Sequence, residues 1–263
     1  MSRTLARGSR ELRDGILAIP LWMMLAKRHV RISYRASRLG MFWSTLPLGA
    51  QMLVAGLVYG RITNAPFEVI LPWIAAGLIS WQFFAGFVSQ SLNLFVEYGG
   101  LVRNYSRPYY AYLIAAYAIS AFQALHNLVL LVVVLAVIGI GDPVAMLWVF
   151  PGFAVFTLAV GWIGMPLAIL SLRFSMVSNV VIAILNLAFV VTPILYLPGA
   201  LGSASWLVEI NPLTHVVAML REPLLGHVPA WKSVGTALAV AAAGWTASLS
   251  LIGRFRDRIS YWV

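Results

Sequence analysis

Few side chains in the apolar parts of this sequence could do acid–base or metal chemistry, and His126 is the main candidate. Ser120, Gln123 and Asn127 recur beside it at helical spacing, so a helix would display them as one polar stripe. Hydrogen bonding between helices is the commoner use of such a stripe, and we favour that interpretation. A contact with substrate is the alternative. We do not expect a metal site, because no second histidine or carboxylate lies nearby.

The chemical groups that are missing narrow the function further. Ion-coupled transporters and proton pumps bind their ion with ionisable groups inside the membrane. Membrane enzymes need carboxylate pairs or metal ligands for acid–base or metal chemistry. The long apolar stretches of this chain contain no Asp, Glu, Lys or Arg, and no Lys follows a Gly, so a phosphate-binding loop is absent from the sequence. If the chain moves a substrate uphill, another subunit must supply the energy.

The composition identifies the lipid bilayer as the solvent for most of the chain. Of its 263 residues, 61% are hydrophobic and 10% are charged, against roughly 25% charged residues in a soluble domain. The net charge of +10 flanks the apolar stretches, which favours contact with anionic lipids and gives no reason to expect nucleic acid as a partner. Cysteine is absent, so no disulfide or thiolate site can form.

Six stretches lack every charged residue and are long enough to span a bilayer. Backbone polar groups must be paired within each segment at that depth, so the spans should be helices. We therefore predict an all-α integral membrane protein with six transmembrane helices. The predicted spans are 41–59, 69–96, 111–139, 146–171, 176–197 and 233–253.

The distribution of basic residues predicts the orientation. Six crossings place both termini on one side, and fifteen of the eighteen Lys and Arg residues then fall on that side. Cytoplasmic loops carry the excess of Lys and Arg. Both termini are therefore predicted to be cytoplasmic, and the tail 254–263 to lie on the headgroups with Tyr261 and Trp262 at the interface.

A basic segment precedes the first span. Arg28, Arg31, Arg35 and Arg38 recur about once per helical turn, which predicts an amphipathic, interfacial N-terminal helix. We accordingly divide the chain into an interfacial region, 1–39, and a transmembrane domain, 40–263.

Two loops have distinctive sequences. In the loop 97–110, Leu101–Tyr105 is predicted to form a short helix that ends before Pro108. This loop is either an ordinary headgroup-level loop or a docking element that a partner contacts at Arg103 and Arg107.

In the loop 198–232, Asn211 and Pro212 are predicted to be the N-cap and the first helical position of a helix. That helix should end near Pro223 and Gly226. It is too short to cross and too apolar for a solvated loop, so a re-entrant or interfacial hairpin is predicted.

Aromatic residues make up 13% of the chain. Those near the span ends fit interfacial belts. Others are not explained as belt residues. A flat apolar ring could contact a sugar and line a channel for a polymer, although lipid contact or helix packing is the commoner role for any one of these residues. These candidates are Trp43, Tyr59, Trp81, Phe84, Phe189 and Tyr196.

Several stretches together resemble the permease subunit of ABC-2 type polysaccharide exporters, and in particular the O-antigen (lipopolysaccharide) export permeases. They extend from the basic segment to the last residue, and their order and spacing carry the resemblance. The stretches are KRHVRISYRASRLGMFWSTL, GLVYGRI, LPWIAAGLISWQFF, EYGGLVRNYSRPYYAYLIAAY, HNLVLLVVV, INPLTHVVAMLREPLLG and RDRISYWV.

The resemblance implies a non-enzymatic subunit of the bacterial inner membrane that pairs with itself and exports a lipid-linked polysaccharide. Two copies of a cytoplasmic ATPase would bind ATP and Mg, and this chain would need no cofactor or metal. By position, 28–39 resembles an interfacial gate helix and 203–226 the periplasmic re-entrant helices. The coupling helix is matched by 100–108, with Leu101, Arg103, Asn104, Tyr105, Arg107 and Pro108.

Alternatives remain open at this stage. A related permease could carry capsule, a teichoic-acid-type polymer, or a small lipid or drug. A membrane scaffold without a transport role is a further alternative. A membrane-embedded glycan enzyme is disfavoured because the spans contain no carboxylates.

Overall fold

The structure is a computed structural model that describes residues 2–35, 42–105, 108–139 and 141–263. Within those ranges every regular element is helical, so the predicted all-α class is confirmed. A 3-10 helix, Pro198–Ala204, lies between the eleventh and twelfth α-helices. In chain order the α-helices are α1 Ser2–Leu17, α2 Ile19–Arg35, α3 Phe42–Thr63, α4 Phe67–Leu92, α5 Leu94–Glu97, α6 Gly99–Asn104, α7 Tyr109–Ile138, α8 Pro143–Met146, α9 Val149–Gly161, α10 Gly164–Arg173, α11 Val177–Val191, α12 Trp206–Ile210, α13 Pro212–Leu224 and α14 Trp231–Trp262.

Among the described residues, four helical stretches are long and apolar enough to cross a membrane. They are Phe67–Leu92, Tyr109–Ile138, Pro143–Arg173 and Trp231–Trp262. Helices α3 and α11 occupy the positions of the other two predicted spans, and α11 has 15 residues, or about 22 Å of helix against a hydrocarbon thickness of about 30 Å. The four long helices establish a multi-span architecture, and six crossings stay a prediction.

Several predicted boundaries differ from the observed ones. The second span ends at Leu92, where Asn93 separates α4 from α5. The stretch predicted as the last span is part of one 32-residue helix, α14, which continues through the predicted tail. The position of Tyr261 and Trp262 at the interface is untested; Trp262 is half-buried, with its ring 5.7 Å from that of Phe255. The proposed division between residues 39 and 40 lies outside the described residues.

Helix α4 forms the centre of the bundle. Nearly every side chain from Ile70 to Trp81 is buried, because α3, α7, α10, α11 and α13 all pack around it. From Gln82 onward α4 is buried on one side only. The core is thus most complete in the first part of α4, and one side of its second part is only half-buried.

The N-terminal helix α1 packs on α7 and on the last part of α14. Two glycines allow the close crossing with α14. A β-carbon at Gly8 would overlap the carbonyl oxygen of Leu249, and one at Gly253 would overlap that of Thr4. Both obstacles are backbone atoms, which cannot move away as a flexible side chain could. The chain leaves α1 at Leu17 and enters α2 at Ile19, so the two helices meet at Ala18.

The stretch predicted as the fourth span is interrupted between α9 and α10. The N–H of Trp162 bonds to the carbonyl of Val160, which leaves the carbonyl of Leu158 without its regular helical donor. The indole Nε1 of Trp245 in α14 donates to that oxygen at 2.9 Å. In return, the ring of Trp162 lies directly on Gly244. Helices α9 and α14 are therefore held together at two points. Trp245 of α14 bonds to the carbonyl of Leu158, and Trp162 at the end of α9 packs on Gly244 of α14.

This packing predicts a strong dependence on Gly244. Gly244→Ala places a methyl group where the indole ring of Trp162 lies, so we expect the free energy of unfolding to fall by about 1 to 3 kcal/mol through overpacking. Gly235→Ala is the matched control in the same helix, because a β-carbon there meets no atom within 4 Å. Thermal unfolding in detergent measures both. Equal midpoints for the two variants would contradict the packing argument.

Candidate coupling site

The short helix α6 lies at one end of the bundle, together with parts of α1, α2, α5, α7, α10 and α14. We call this the coupling end. The helix covers Gly99–Asn104, so it begins two residues before and ends one residue before the predicted Leu101–Tyr105. Tyr105 follows it in an extended conformation and is 57% exposed. Pro108 is the N-cap residue of α7, and Arg107 lies outside the described residues.

A hydrogen-bonded pair joins the basic helix α2 to the start of this site. His29 Nδ1 lies 3.1 Å from Glu97 Oε1. Burial, followed by the charge of Glu97, raises the pKa of Tyr98, so its hydroxyl keeps its proton and can donate to that carboxylate. Between α2 and α6 lies a groove of about 590 Å³ that Arg28, His29 and Asn104 help to line. Helices α2 and α6 therefore share an open cleft, and the His29–Glu97 pair joins α2 to α5 at one edge of it.

The end of α14 also reaches the predicted coupling segment, residues 100–108. The guanidinium of Arg103 donates to the main-chain oxygen of Val263. Beside it, the guanidinium carbon of Arg173 lies 5.7 Å from the centre of the Trp262 ring. Arg103 itself stays exposed. The last turn of α14 thus connects α6 with the end of α10.

Glu11 ties the helix that follows the coupling segment to two others. Pro108 provides no side-chain cap for α7, and Glu11 of α1 supplies the missing acceptor: its Oε1 accepts from the backbone N–H of Tyr109 at 2.6 Å. Its Oε2 accepts from Arg256 of α14, also at 2.6 Å. The Glu11 side chain is only 3% exposed. A buried carboxylate with both oxygens engaged holds α1, α7 and α14 in register.

Sequence reasoning missed Glu11, His29, Glu97 and Arg173. Each makes its contact through a partner far away in the chain, and local periodicity carries no signal for such pairs. The charge pattern offered one weak indication for Glu11, since acidic residues are rare in the basic N-terminal segment. The composition of 97–110 alone indicated the location of the site.

The structure describes only part of the predicted basic stripe. Arg28 and Arg31 lie on α2 and are exposed. Arg35 is the last residue of α2, and Arg38 lies outside the described residues. The three positions within α2 have the spacing of one helix face. The assignment of 28–39 as a gate helix stays a prediction.

The six aromatic candidates do not form one group. Trp81 contacts Phe84 and Phe189, with ring centres 5.4 Å and 5.6 Å away, and this cluster lies between α4 and α11. Trp81 and Phe84 are only 7% and 5% exposed, so they belong to the core in this conformation. Trp43 is 59% exposed; Tyr59 and Tyr196 are half-buried. A channel-lining role stays a prediction for all six.

The polar stripe on α7 makes the expected hydrogen bonds between helices. Asn127 Nδ2 donates to Gln82 of α4 at 3.3 Å, and Ser120 Oγ accepts from Gln90 of α4 at 3.1 Å. The packing interpretation is therefore confirmed for Ser120 and Asn127. His126 packs edge-on against Phe42, with ring centres 5.7 Å apart.

The opposite end of the bundle, which we call the far end, contains α12 and α13. The Asn211 side chain accepts from the N–H of Leu213, Pro212 opens α13, and α13 ends at Leu224, ahead of a left-handed Gly226. These predicted helix limits are confirmed. Most of α13 is buried, since it packs between α4, α9 and α14. That burial supports the re-entrant interpretation, which stays a prediction.

A buried arginine anchors α13. The Arg221 side chain is 3% exposed and pairs with Glu222 at 3.2 Å. It donates to the Pro193 carbonyl at 2.8 Å, and its guanidinium carbon lies 3.6 Å from the centre of the Trp73 ring. By contrast, Glu209 and Lys232 form a surface pair, in which the hydrogen bond from Lys232 lowers the pKa of Glu209. Arg221 thus joins α13 to α4 and to the segment after α11.

Comparison with known proteins agrees with this architecture. The long apolar helices define a multi-pass membrane protein. Residues 20–225 match the family described as ABC-2 type transporter, and because the match covers most of the chain, this protein belongs to that family.

Two similar proteins from Klebsiella pneumoniae are both named O-antigen export system permease protein RfbA. One is 25% identical over 211 residues, which cover 77% of this chain and 79% of the relative. The other is 24% identical over 217 residues, which cover 79% and 81%. With the family match and the apolar helices, these relatives indicate a multi-pass protein of the bacterial inner membrane.

Proposed function

We propose that this chain is the membrane permease subunit of an ATP-driven exporter that moves a lipid-linked polysaccharide of the O-antigen type to the periplasmic side of the inner membrane. The observation that carries the proposal is the similarity to the two O-antigen export permeases over about four-fifths of each chain. The sequence supports it, since it contains neither a nucleotide-binding loop nor charged residues inside the predicted spans.

The functional assembly in this proposal contains two copies of this chain and two copies of a soluble ATPase. ATP and Mg bind to the ATPase, and this chain carries no cofactor. The coupling end faces the cytoplasm and the far end the periplasm, with six helices crossing between them. The positive-inside distribution of Lys and Arg supports that orientation.

Coupling in this proposal is mechanical. The ATPase contacts α6 and the residues up to Pro108, and its closure on ATP displaces this segment. The contacts of Glu97, Arg103 and Tyr109 with α1, α2 and α14 would pass the displacement to three helices at once. Two subunits that alternate between shut and open arrangements then thread the glycan outward.

The proposed cargo is tested by deleting the gene. We expect the lipid-linked glycan to accumulate on the cytoplasmic leaflet and surface glycan to be lost, and a plasmid copy to restore export. The measurement is surface labelling of the glycan together with its extraction from the membrane. Glycan that reaches the surface normally without the gene would refute the proposal.

The coupling assignment is tested by charge reversal. In the reconstituted complex with its ATPase, Arg103→Glu combined with Arg107→Glu should abolish stimulated ATP hydrolysis while the protein stays folded in the membrane. Arg258→Glu is the control, because Arg258 is an exposed arginine on α14 outside the coupling segment. Normal stimulated hydrolysis in the double variant, or an equal loss in the control, would contradict the assignment.

A further inference from the structure

The second part of α4 and the Asn93 that follows it carry an unusual set of side chains for a membrane-spanning helix; all of them are half-buried except Asn93, which is exposed. We call this set the amide face; it lies on one side of the helix at spacings of three and four residues. None of its members is charged, and none is an apolar residue larger than alanine. It consists of Gln82, Ala85, Gly86, Ser89, Gln90 and Asn93.

Many of the exposed positions on neighbouring helices carry large apolar side chains, unlike this face. On α3, Leu46 and Leu57 are 63% and 60% exposed, and on α11, Ile184 and Leu187 are 56% and 68% exposed. Such side chains suit contact with lipid tails. Since each polar group left without a partner in hydrocarbon costs several kcal/mol, the amide face is unsuited to lipid.

Polar side chains of α7 extend the amide face on one side. Gln82 accepts from Asn127, and Gln90 donates to Ser120. A β-carbon at Gly86 would lie 4.0 Å from Oε1 of Gln123, which is itself half-buried. Nearby, Nε2 of His126 is buried and has no hydrogen-bond partner within the described part of the chain. Hydrogen-bonding capacity along this surface therefore exceeds what the chain itself uses.

The amide face also leads towards the coupling end. Asn93, its last member, is followed by α5, which ends at Glu97, and Glu97 lines the groove between α2 and α6. In the chain, the amide face thus ends four residues before a carboxylate that lines an open cleft. We infer that the amide face lines a hydrated passage and contacts the polysaccharide chain in transit, an inference that rests on the proposed function.

The chemistry of the face matches that occupant. Carboxamides and hydroxyls both donate and accept hydrogen bonds, as sugar hydroxyls do. Without charge, each contact is weak and can be exchanged for the next along the polymer. A conduit needs such contacts, since its binding must be weak and distributed enough to let the cargo leave. The small residues Ala85 and Gly86 leave room for a sugar ring beside the amides.

Single cysteines can test this inference, because the natural sequence contains none. Ser89→Cys and Ala85→Cys are small changes that should preserve folding. In membrane vesicles that hold the assembled transporter, we expect a membrane-impermeant maleimide to modify both. Ala121→Cys and Leu125→Cys are depth-matched controls, since Gln90 bonds Ser120 and Gln82 bonds Asn127; both line an apolar pocket and should stay unmodified. Failure to label positions 85 and 89, or equal labelling of the controls, would overturn the inference.

A second arm identifies the occupant. Labelling of Ser89→Cys should fall in cells that make the lipid-linked glycan, relative to cells that cannot make it. If the extent of labelling is the same with and without the glycan, the assignment of the occupant is wrong. Spontaneous disulfides between two copies at position 89 would show that a second protomer covers the face, and would also overturn it. Failure of the proposed function looks different: surface glycan would then survive deletion of the gene, whatever the labelling pattern.

Discussion

Glu11→Ala is expected to lower the free energy of unfolding by about 3 kcal/mol, because it removes two hydrogen bonds of a buried charged group. The variant leaves the first N–H of α7 without its acceptor and Arg256 without its carboxylate. It should also reduce ATPase stimulation, since α7 begins directly after the coupling segment. Glu11→Gln should lie between the variant and the wild type, because an amide oxygen can still accept from Tyr109.

The control for Glu11 is an exposed ion pair that also joins α1 to α14. Arg7 and Asp257 lie 3.9 Å apart, with side chains 67% and 79% exposed. Exposed pairs contribute about 0 to 1 kcal/mol, so Arg7→Met should change little. Thermal unfolding in detergent and ATP hydrolysis by the reconstituted complex are the two measurements. If Glu11→Ala and Arg7→Met behave alike in both, the register role of Glu11 is wrong.

Arg221→Met should produce a comparable loss at the far end, about 3 kcal/mol, since breaking a buried ion pair leaves its partner charge uncompensated. The loss also frees the Pro193 carbonyl and exposes the ring face of Trp73. Arg221→Lys keeps the charge but cannot reproduce the planar fork or the stacking, so it should recover only part of the stability.

Lys232→Met is the comparison for Arg221. Lys232 and Glu209 form an ion pair of 2.6 Å, but both side chains are more than 60% exposed. Its loss should cost well under 1 kcal/mol. Thermal unfolding would again separate the two cases, and limited proteolysis would report release of the segment that contains α13. A stable, protease-resistant Arg221→Met protein would remove the anchoring role of Arg221.

The features that sequence reasoning predicted well are local ones. The N-cap at Asn211, the proline after it and the glycine beyond the helix gave the limits of α13 almost to the residue. The polar stripe on α7 was also readable, because hydrogen-bonding side chains at helical spacing stand out in an apolar segment. The absence of charge from long stretches predicted the membrane class directly.

The aromatic candidates show what that reasoning could not decide. In a membrane helix the lipid-facing and core-facing sides are both apolar, so hydropathy does not reveal which way a ring points. Trp81 and Phe84 are buried in this conformation, and their channel-lining role stays a prediction. A better signal was available in the same helix: Gln82, Ser89 and Asn93 mark one side of α4 at helical spacing, and polar periodicity alone could have found them.

Long-range pairs could not be predicted from the sequence either. Glu11 and Tyr109 are 98 residues apart, and His29 and Glu97 are 68 residues apart. Nothing in the sequence near either residue indicates its partner. Such contacts depend on how α1 and α2 pack against the bundle, and the glycines that permit the α1 crossing have meaning only once α14 is in place.

The length of α14 has a mechanical consequence. Its 32 residues form a rod of about 48 Å. Its last turn reaches Arg103, and its first turn contains Lys232, which pairs with Glu209. Close to its middle, the Trp162 ring lies on Gly244. A rigid rod held near its midpoint acts as a lever about a fulcrum. Under the proposed coupling, a sideways push of the last turn by α6 would swing the first turn, and with it the side of α13 packed there, in the opposite direction.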